Sequence, residues 1–402
     1  MNKPNIFETG ARQESRLKAR SSLSPEQLKI VEMPADRHCM ILGPAGSGKT
    51  QTFLHRGAYL AGTSGALPSR YRLFVFNEMA GESIKSGIRL LGLPEESVTT
   101  IDHWCRLFYE EHISRNLPRI YVNLRLDYPI IRSEVLQALE DREDLRNILE
   151  FALVDDGQDL SPDVFEILQR AAKHLTVFAD FQQKLIENKT SETFLLETLK
   201  RKMRKDRLSG IYRNAPPVAQ LASYFLSEED SRRKFLAQIA VPGQEKKMPL
   251  FYVAPSEEAE LDQLAATVHM RQSLNENVGI VVSSNRLLHE FAKDLKERGV
   301  EIEKVIESDA QNVLHGPYDL ENDIPKIMTY QTAKGLTFDS VFLPRLTESS
   351  FSPVKGEARE RMLFVGVTRA RQWVHLSTVR GSECAEIGRL KAAEADGHLV
   401  II

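Results

Sequence analysis

The sequence predicts an α/β chain of parallel sheets flanked by helices, organised around one phosphate-binding loop. Three observations carry this. Short apolar runs alternate with helical patterns along most of the 402 residues, the order that gives parallel strands joined by crossover helices. The stretch from Ile41 to Thr50, ILGPAGSGKT, passes from an apolar strand through a glycine-rich turn into a helix. A second apolar strand, Phe151 to Val154, ends in the carboxylates Asp155 and Asp156.

The loop justifies itself chemically. Gly43, Gly48, Lys49 and Thr50 satisfy the spacing G-x-x-x-x-G-K-[ST]. Its glycines let successive backbone N–H groups turn toward phosphate oxygens, and the following helix adds its positive end. Lys49 can reach the β- and γ-phosphates, and the Thr50 hydroxyl can hold Mg²⁺. Ala45, Gly46, Ser47 and Gln51 complete the residues assigned to the nucleotide. The paired carboxylates supply what such a loop lacks. Asp155 is placed to hold Mg²⁺ and Asp156 to polarise the attacking water.

Composition narrows the class. Hydrophobic residues make up 42% and charged residues 27%, as in globular proteins, and the formal net charge of −3 gives no overall basic character. Nucleic acid would therefore bind in a local groove. Cys39, Cys105 and Cys384 lie far apart without metal spacing, which suits a reducing cytoplasm. No apolar run approaches the ~20 residues of a membrane span, and no signal peptide is read at the N-terminus.

In chain order, residues 1–22 read as a flexible or partner-bound extension carrying Arg12, Arg16, Lys18 and Arg20. Ser24 and Pro25 start a helix as cap and first-turn residue, with Gln27 just inside it. After the loop helix come a strand from Leu73 to Phe76 ending at Asn77, a helix from Ala80, and Val98 to Ile101 with Thr100. Leu175 to Ala179 is the next strand, followed by Gln182 and Gln183. The basic run from Lys200 to Arg207 reads as a solvated helix end or linker at a domain boundary. A second α/β pattern follows: strands at Leu208 to Tyr212, Leu250 to Val253, Val278 to Val282, Ile327 to Thr329 and Ser340 to Leu343. The turn Lys334–Gly335 separates the last two, and a final long helix carries Arg361, Arg369 and Arg371.

ILGPAGSGKT, VDDGQD, the triplet Tyr212-Arg213-Asn214, TYQTAKGLTFDSVFLP and VGVTRAR stand in this order. Together they resemble the UvrD/Rep-like helicases of superfamily one over residues 23–378. The resemblance implies two RecA-like P-loop NTPase motor domains, residues 23–207 and 208–380, followed by a C-terminal tail at 381–402. It implies ATP and Mg²⁺ between the domains and single-stranded nucleic acid, DNA before RNA, across the top. By the same resemblance Gln27 reads adenine, Tyr212 stacks on it, and Gly335 belongs to the nucleotide site. Gln183 senses the γ-phosphate, Arg213 and Arg369 reach that phosphate from the second domain, and Asn77, Thr100 and Thr332 meet the strand.

The chain departs from that pattern in defined places. Asp156 stands where the family has glutamate, and Thr337 where a glutamate follows KGL. Lys184, Leu185 and Ile186 replace the aromatic stacking residues after Gln183. The spacings from Thr100 to Asp155 and from Asn214 to Met328 leave accessory subdomains reduced or missing. Two functions compete. One is an ATP-driven translocase or helicase, with a protein partner for processive unwinding. The other is a nucleotide-controlled regulatory subunit of a larger nucleic-acid-processing or defence complex.

Overall fold

The computed structural model describes residues 17–183, 190–199, 203–239, 247–306 and 322–402. Most of the expected N-terminal extension, Lys184 to Ile186, and Lys200 to Lys202 lie outside them.

The first half contains strands β1 (Cys39–Leu42), β2 (Tyr71–Val75), β3 (Val98–Thr100), β4 (Leu149–Val154), β5 (Ala172–Ala179) and β6 (Arg204–Arg207). They form one sheet in the order β3-β2-β4-β5-β1-β6, with every pairing parallel. Helices α1 (Pro25–Val31), α2 (Lys49–Ser64), α3 (Glu78–Leu90), α4 (Ile101–His112), α5 (Tyr128–Asp141), α6 (Pro162–Ala171) and α7 (Glu192–Thr198) accompany it. The central strands are buried on both faces because successive side chains point to opposite sides. Met40, Leu42, Ala152, Val154, Leu175 and Val177 pack with Trp104, Phe108 and Phe165 on one face. Cys39, Ile41, Phe151, Leu153 and Phe178 pack with Phe53, Leu54 and Ile88 on the other.

The second half contains β7 (Leu250–Ala254), β8 (Val278–Val282), β9 (Glu303–Lys304), β10 (Lys326–Thr329), β11 (Phe338–Leu343), β12 (Ala370–Val379) and β13 (Val400–Ile401). These are ordered β13-β7-β12-β11-β8-β10-β9, again wholly parallel. Its helices are α8 (Pro216–Ser223), α9 (Glu229–Leu236), α10 (Glu257–Ser273), α11 (Asn285–Glu297), α12 (Tyr330–Ala333), α13 (Glu348–Phe351), α14 (Glu357–Val367) and α15 (Leu390–Ala395). The α/β class with parallel sheets flanked by helices is as the sequence predicts.

Five readings of the sequence need correction. The basic run ends as an edge strand, since Arg204–Arg207 pairs with β1, whose open edge supplies backbone partners. Leu208 to Tyr212 is no strand; it is the crossing between halves, with one isolated bridge from Ile211 to Ile239. The long helix stops at Val367, so Arg369 lies in the turn after α14 and Arg371 on β12. The stretch 381–402 is not a tail: Leu390, Ala393 and Leu399 are buried in the second core, and β13 pairs with β7. At the other end, residues 17–22 are not a free extension. The Lys18 N–H donates to Gln51 Oε1 at 2.9 Å, and Leu17 packs with the first core.

Candidate active site

The phosphate loop connects β1 to α2 at the carboxyl edge of the first sheet. Gly46 and Gly48 have φ of +79° and +84°, in the left-handed region, and a Cβ on Gly48 would lie 2.3 Å from Gln27 Nε2. Lys49 is buried and donates to the Gly43 and Pro44 carbonyls at 2.9 and 3.1 Å, with Asp180 Oδ2 at 3.7 Å. Its ammonium thus waits on the loop's own oxygens. Ser47 Oγ is buried without a partner, a donor a phosphate would satisfy.

Thr50 Oγ1 donates to Asp155 Oδ2 at 2.8 Å. Burial, and then the neighbouring Asp156 charge, push the Asp155 carboxyl up to about 7. A carboxylate so disfavoured alone fits a cation beside it. Among the described residues no cluster of three or more His, Cys, Asp or Glu forms a metal site. Mg²⁺ would therefore rest on Thr50, Asp155 and phosphate oxygens, neutralising charge on the phosphates. Asp156 behaves oppositely. Burial raises its carboxyl, but Lys334, Lys49 and a hydrogen bond from Gln158 Nε2 (3.1 Å) hold it below the ordinary range. It stays ionised, as polarising a water requires.

Asp156 also has a φ of +52°, a conformation that Asp and Asn tolerate best among side-chain-bearing residues. This separates two substitutions. Asp156→Asn keeps the backbone preference and removes the charge, so we expect ATP turnover nearly to vanish with the melting temperature unchanged. Asp156→Glu restores the family's side chain, so turnover should hold or rise, but at a lower melting temperature, because glutamate tolerates this backbone conformation less well. Steady-state ATPase with a thermal melt checks both; an active Asp156→Asn protein would mean that another group positions the water.

The second half reaches into this site. Arg369 is buried and its Nη2 donates to Gln183 Oε1 at 2.7 Å, while Gln183 Nε2 donates to Asp180 Oδ2 at 2.6 Å. Polar contacts therefore run unbroken from Lys49 through Asp180 and Gln183 to Arg369. Burial, and then nearby Arg213, pull the Arg369 guanidinium down to about 9. Arg213 is lowered by burial and by Arg371, and Asp156 and Asp155 partly offset this. Two cations crowded at one cleft fit a polyanion between them.

A cavity of about 550 Å³ lies at the loop, lined by Gln27, Gly46, Gly48, Thr50, Gln51 and, from the second half, Tyr212, Arg213, Gly335 and Thr337. That volume suits a nucleotide. Tyr212 is 38% exposed into this region. Gln27 is engaged on both sides of its amide. Its Oε1 accepts from Ser24 N at 2.9 Å in a capping box, and its Nε2 donates to Ser47 O at 3.1 Å. Reading adenine would require it to release these partners.

The residues assigned to nucleic acid stand at strand ends. Asn77 stands just past β2 and Thr100 is the last residue of the neighbouring β3; they cap α3 and α4, accepting from Ala80 N at 2.8 Å and His103 N at 3.3 Å. Asn77 Nδ2 is buried without a partner. Thr332 is in the second half, in a larger cavity of about 690 Å³ with Ser283, Ser284, Asn285, Gln331 and Lys355. This cavity lacks the phosphate loop and offers hydroxyls, two amides and one cation. The structure therefore brings the nucleotide residues together, and the nucleic-acid residues lie on both halves, Asn77 and Thr100 on the first and Thr332 on the second.

Sequence reasoning missed Lys334 and Asp159. Lys334 Nζ, almost wholly buried, contacts Asp159 Oδ2 and donates to Gln183 O at 2.9 Å, further bonds between the halves. Both lie within quoted motifs, but only their meeting in space shows the pairing.

The UvrD/REP helicase N-terminal domain matches residues 23–127, and the UvrD-like helicase C-terminal domain matches residues 326–377. The chain carries both domains of a UvrD/Rep-like helicase. As such it is an ATP-hydrolysing enzyme, and its two halves are consistent with RecA-like motor domains. No curated protein matches the chain. Among solved structures, the C-terminal domain of a possible DNA helicase from Lactobacillus plantarum WCFS1 is 20% identical, covers 47% of this chain and 97% of its own, and has a TM-score of 0.35. Among the described residues of this UvrD/Rep-like chain, no helix is long and apolar enough to cross a membrane.

Proposed function

We propose that this helicase is an ATP-driven translocase on single-stranded DNA, hydrolysing ATP between motor domains at about 23–207 and from 208 onward. The observation that carries this reading is the run from Lys49 through Asp180 and Gln183 to Arg369. ATP enters among cations of both halves, so its binding favours the closed cleft, and loss of the γ-phosphate weakens that preference. Lys49, Arg213 and Arg369 meet the charge that grows on the transferred phosphoryl group. Thr50 and Asp155 hold Mg²⁺, Asp156 orients the water, and Gln183 couples Arg369 to the phosphate side. Asn77, Thr100 and Thr332 ride on different halves, so closure changes their spacing along a bound strand. DNA rather than RNA follows the family's usual substrate.

The test is steady-state ATPase alone, with single-stranded DNA, and with single-stranded RNA. DNA should stimulate most. Stimulation by RNA only would overturn the DNA assignment, and none by either would replace the motor with the regulatory reading. Unwinding is a separate matter. Between Thr100 and Asp155 the described chain adds, besides β4, only α4, α5, a single 3₁₀ turn and the connections between them. Little is built to grip duplex ahead of a fork, so a tailed duplex of several tens of base pairs should be unwound poorly by the monomer without a partner. Efficient single-turnover unwinding near physiological salt would overturn that expectation.

A further inference from the structure

The connection between α4 and α5 carries a feature that the nucleotide site does not use. Arg119 and Leu126 form an antiparallel bridge, with Ile120 N donating to Arg125 O at 2.8 Å and Asp127 N to Pro118 O at 3.0 Å. Arg119 Nη1 also donates to Leu124 O at 2.8 Å across the tip. The loop is a small hairpin with its own hydrogen bonds. Its tip is apolar and turned outward: Tyr121 is 95% exposed, Val122 91% and Leu124 65%. Tips of this kind are ordinarily polar. From Ile113 to Leu126 the chain carries Arg115, Arg119 and Arg125 and no acidic residue, within a protein of net charge −3.

The hairpin's position follows from the helices it joins. Arg132 near the start of α5 contacts Asp102 near the start of α4 at 2.6 Å, and Arg142 after α5 donates to the His112 carbonyl at the end of α4 at 3.1 Å. The two helices therefore run side by side in the same direction. The connection must climb back from the far end of α4 to the edge where Thr100 caps it. That edge also carries Asn77. The hairpin thus stands on the carboxyl edge of the first sheet, beside the two residues assigned to the strand.

We propose that the Arg119–Leu126 hairpin is a single-strand nucleic-acid contact. Tyr121 stacks on a base, with Val122 and Leu124 packing beside it, and the arginines of the loop face phosphates. Base stacking on an exposed aromatic tolerates any sequence, and the neighbouring cations add a salt-dependent attraction. The hairpin supplies stacking that Lys184 to Ile186 do not offer by residue type. This rests on the motor reading above.

The experiment separates the two. The native tryptophans, Trp104 and Trp373, are both buried, so Tyr121→Trp introduces one exposed reporter. Titration with oligothymidylate should quench its fluorescence, saturating where ATPase stimulation saturates. The double substitution Tyr121→Ala, Val122→Ser, at solvent-exposed positions, should leave basal ATPase unchanged. It should raise the oligonucleotide concentration for half-maximal stimulation by about five- to hundredfold, the range of one lost stack. Full stimulation without quenching, or an unchanged half-maximal concentration in the double variant, overturns the hairpin contact while the motor stands. Quenching without any stimulation supports the contact and overturns the motor.

Discussion

Lys49→Ala is expected to lower ATP turnover by about 10²–10³-fold or more while the protein stays folded. The ammonium is held by two carbonyls of its own loop, so in the absence of nucleotide it contributes little beyond local order. Deleting it leaves Asp180 bonded to Gln182 N at 3.1 Å and to Gln183 Nε2 at 2.6 Å. The loop keeps its tie from Gly43 N to the Ala179 carbonyl at 3.3 Å. What disappears is a positive charge aimed where phosphate charge develops, in a buried setting where such charges act strongly. Steady-state ATPase beside a thermal melt is the measurement. Near-normal turnover in a folded Lys49→Ala protein would remove the phosphate loop from the mechanism.

The second large effect is expected at Arg369. Arg369→Ala should reduce maximal turnover by about 10³–10⁵-fold, the range supplied by arginines that meet the γ-phosphate in phosphoryl transfer. Nucleotide affinity should change much less, because the interaction strengthens in the transition state. The side chain also donates to Val365 O at 3.0 Å and to Thr368 Oγ1 at 3.2 Å, so alanine disturbs the end of α14 and strands Gln183 Oε1. Arg369→Lys is the necessary companion. It keeps a charge and loses the planar fork, and a lysine protein that melts normally but stays slow would locate the defect in phosphate recognition. Weaker ATP binding at an unchanged maximal rate would show that Arg369 only holds the halves together. Arg213→Ala is expected to behave in the same way.

How much of this could be read beforehand depended on whether the signal was local. The phosphate loop and the carboxylates after β4 are short runs whose residue types state their chemistry, whereas Arg213 is assigned only through the resemblance; in the structure Thr50 lines both the cavity that holds Arg213 and the smaller one that holds Asp155 and Asp156. β12 was not legible. Its buried run, with Trp373, His375, Ser377 and Thr378 among apolar neighbours, lacks a clean alternation, so the preceding helical pattern seemed to continue through Arg369. β6 was hidden for the opposite reason. Arg-Lys-Asp-Arg has no apolar face, and it becomes a strand only because β1 offers an unpaired edge. Lys334 and Asp159 lie 175 residues apart, and no pattern along the chain announces their pairing.

The chain passes from one half to the other once among the described residues, and the crossing is tightly pinned. Leu208 N donates to Leu42 O at 2.7 Å, and Tyr212 N and Arg213 N to Gly46 O at 2.9 and 3.2 Å, so the segment is stitched to the first half, while Ile211 N already donates to Gln238 O of the second half at 2.6 Å. Asn214 Nδ2 donates to Thr368 O at 3.0 Å, and Ala215 N to Arg371 O at 2.6 Å, so from Asn214 onward it belongs to the other body. Residues 211–214 thus carry ties to both bodies and form the pivot, with Arg213 inside it. Any rotation of one body against the other must shift bonds within these residues, and the backbone torsions that adjust there also aim the Arg213 guanidinium. Arg369, carried well beyond the pivot, sweeps an arc instead. The two arginines would therefore register the same opening differently, one as a change of direction and the other as a change of distance.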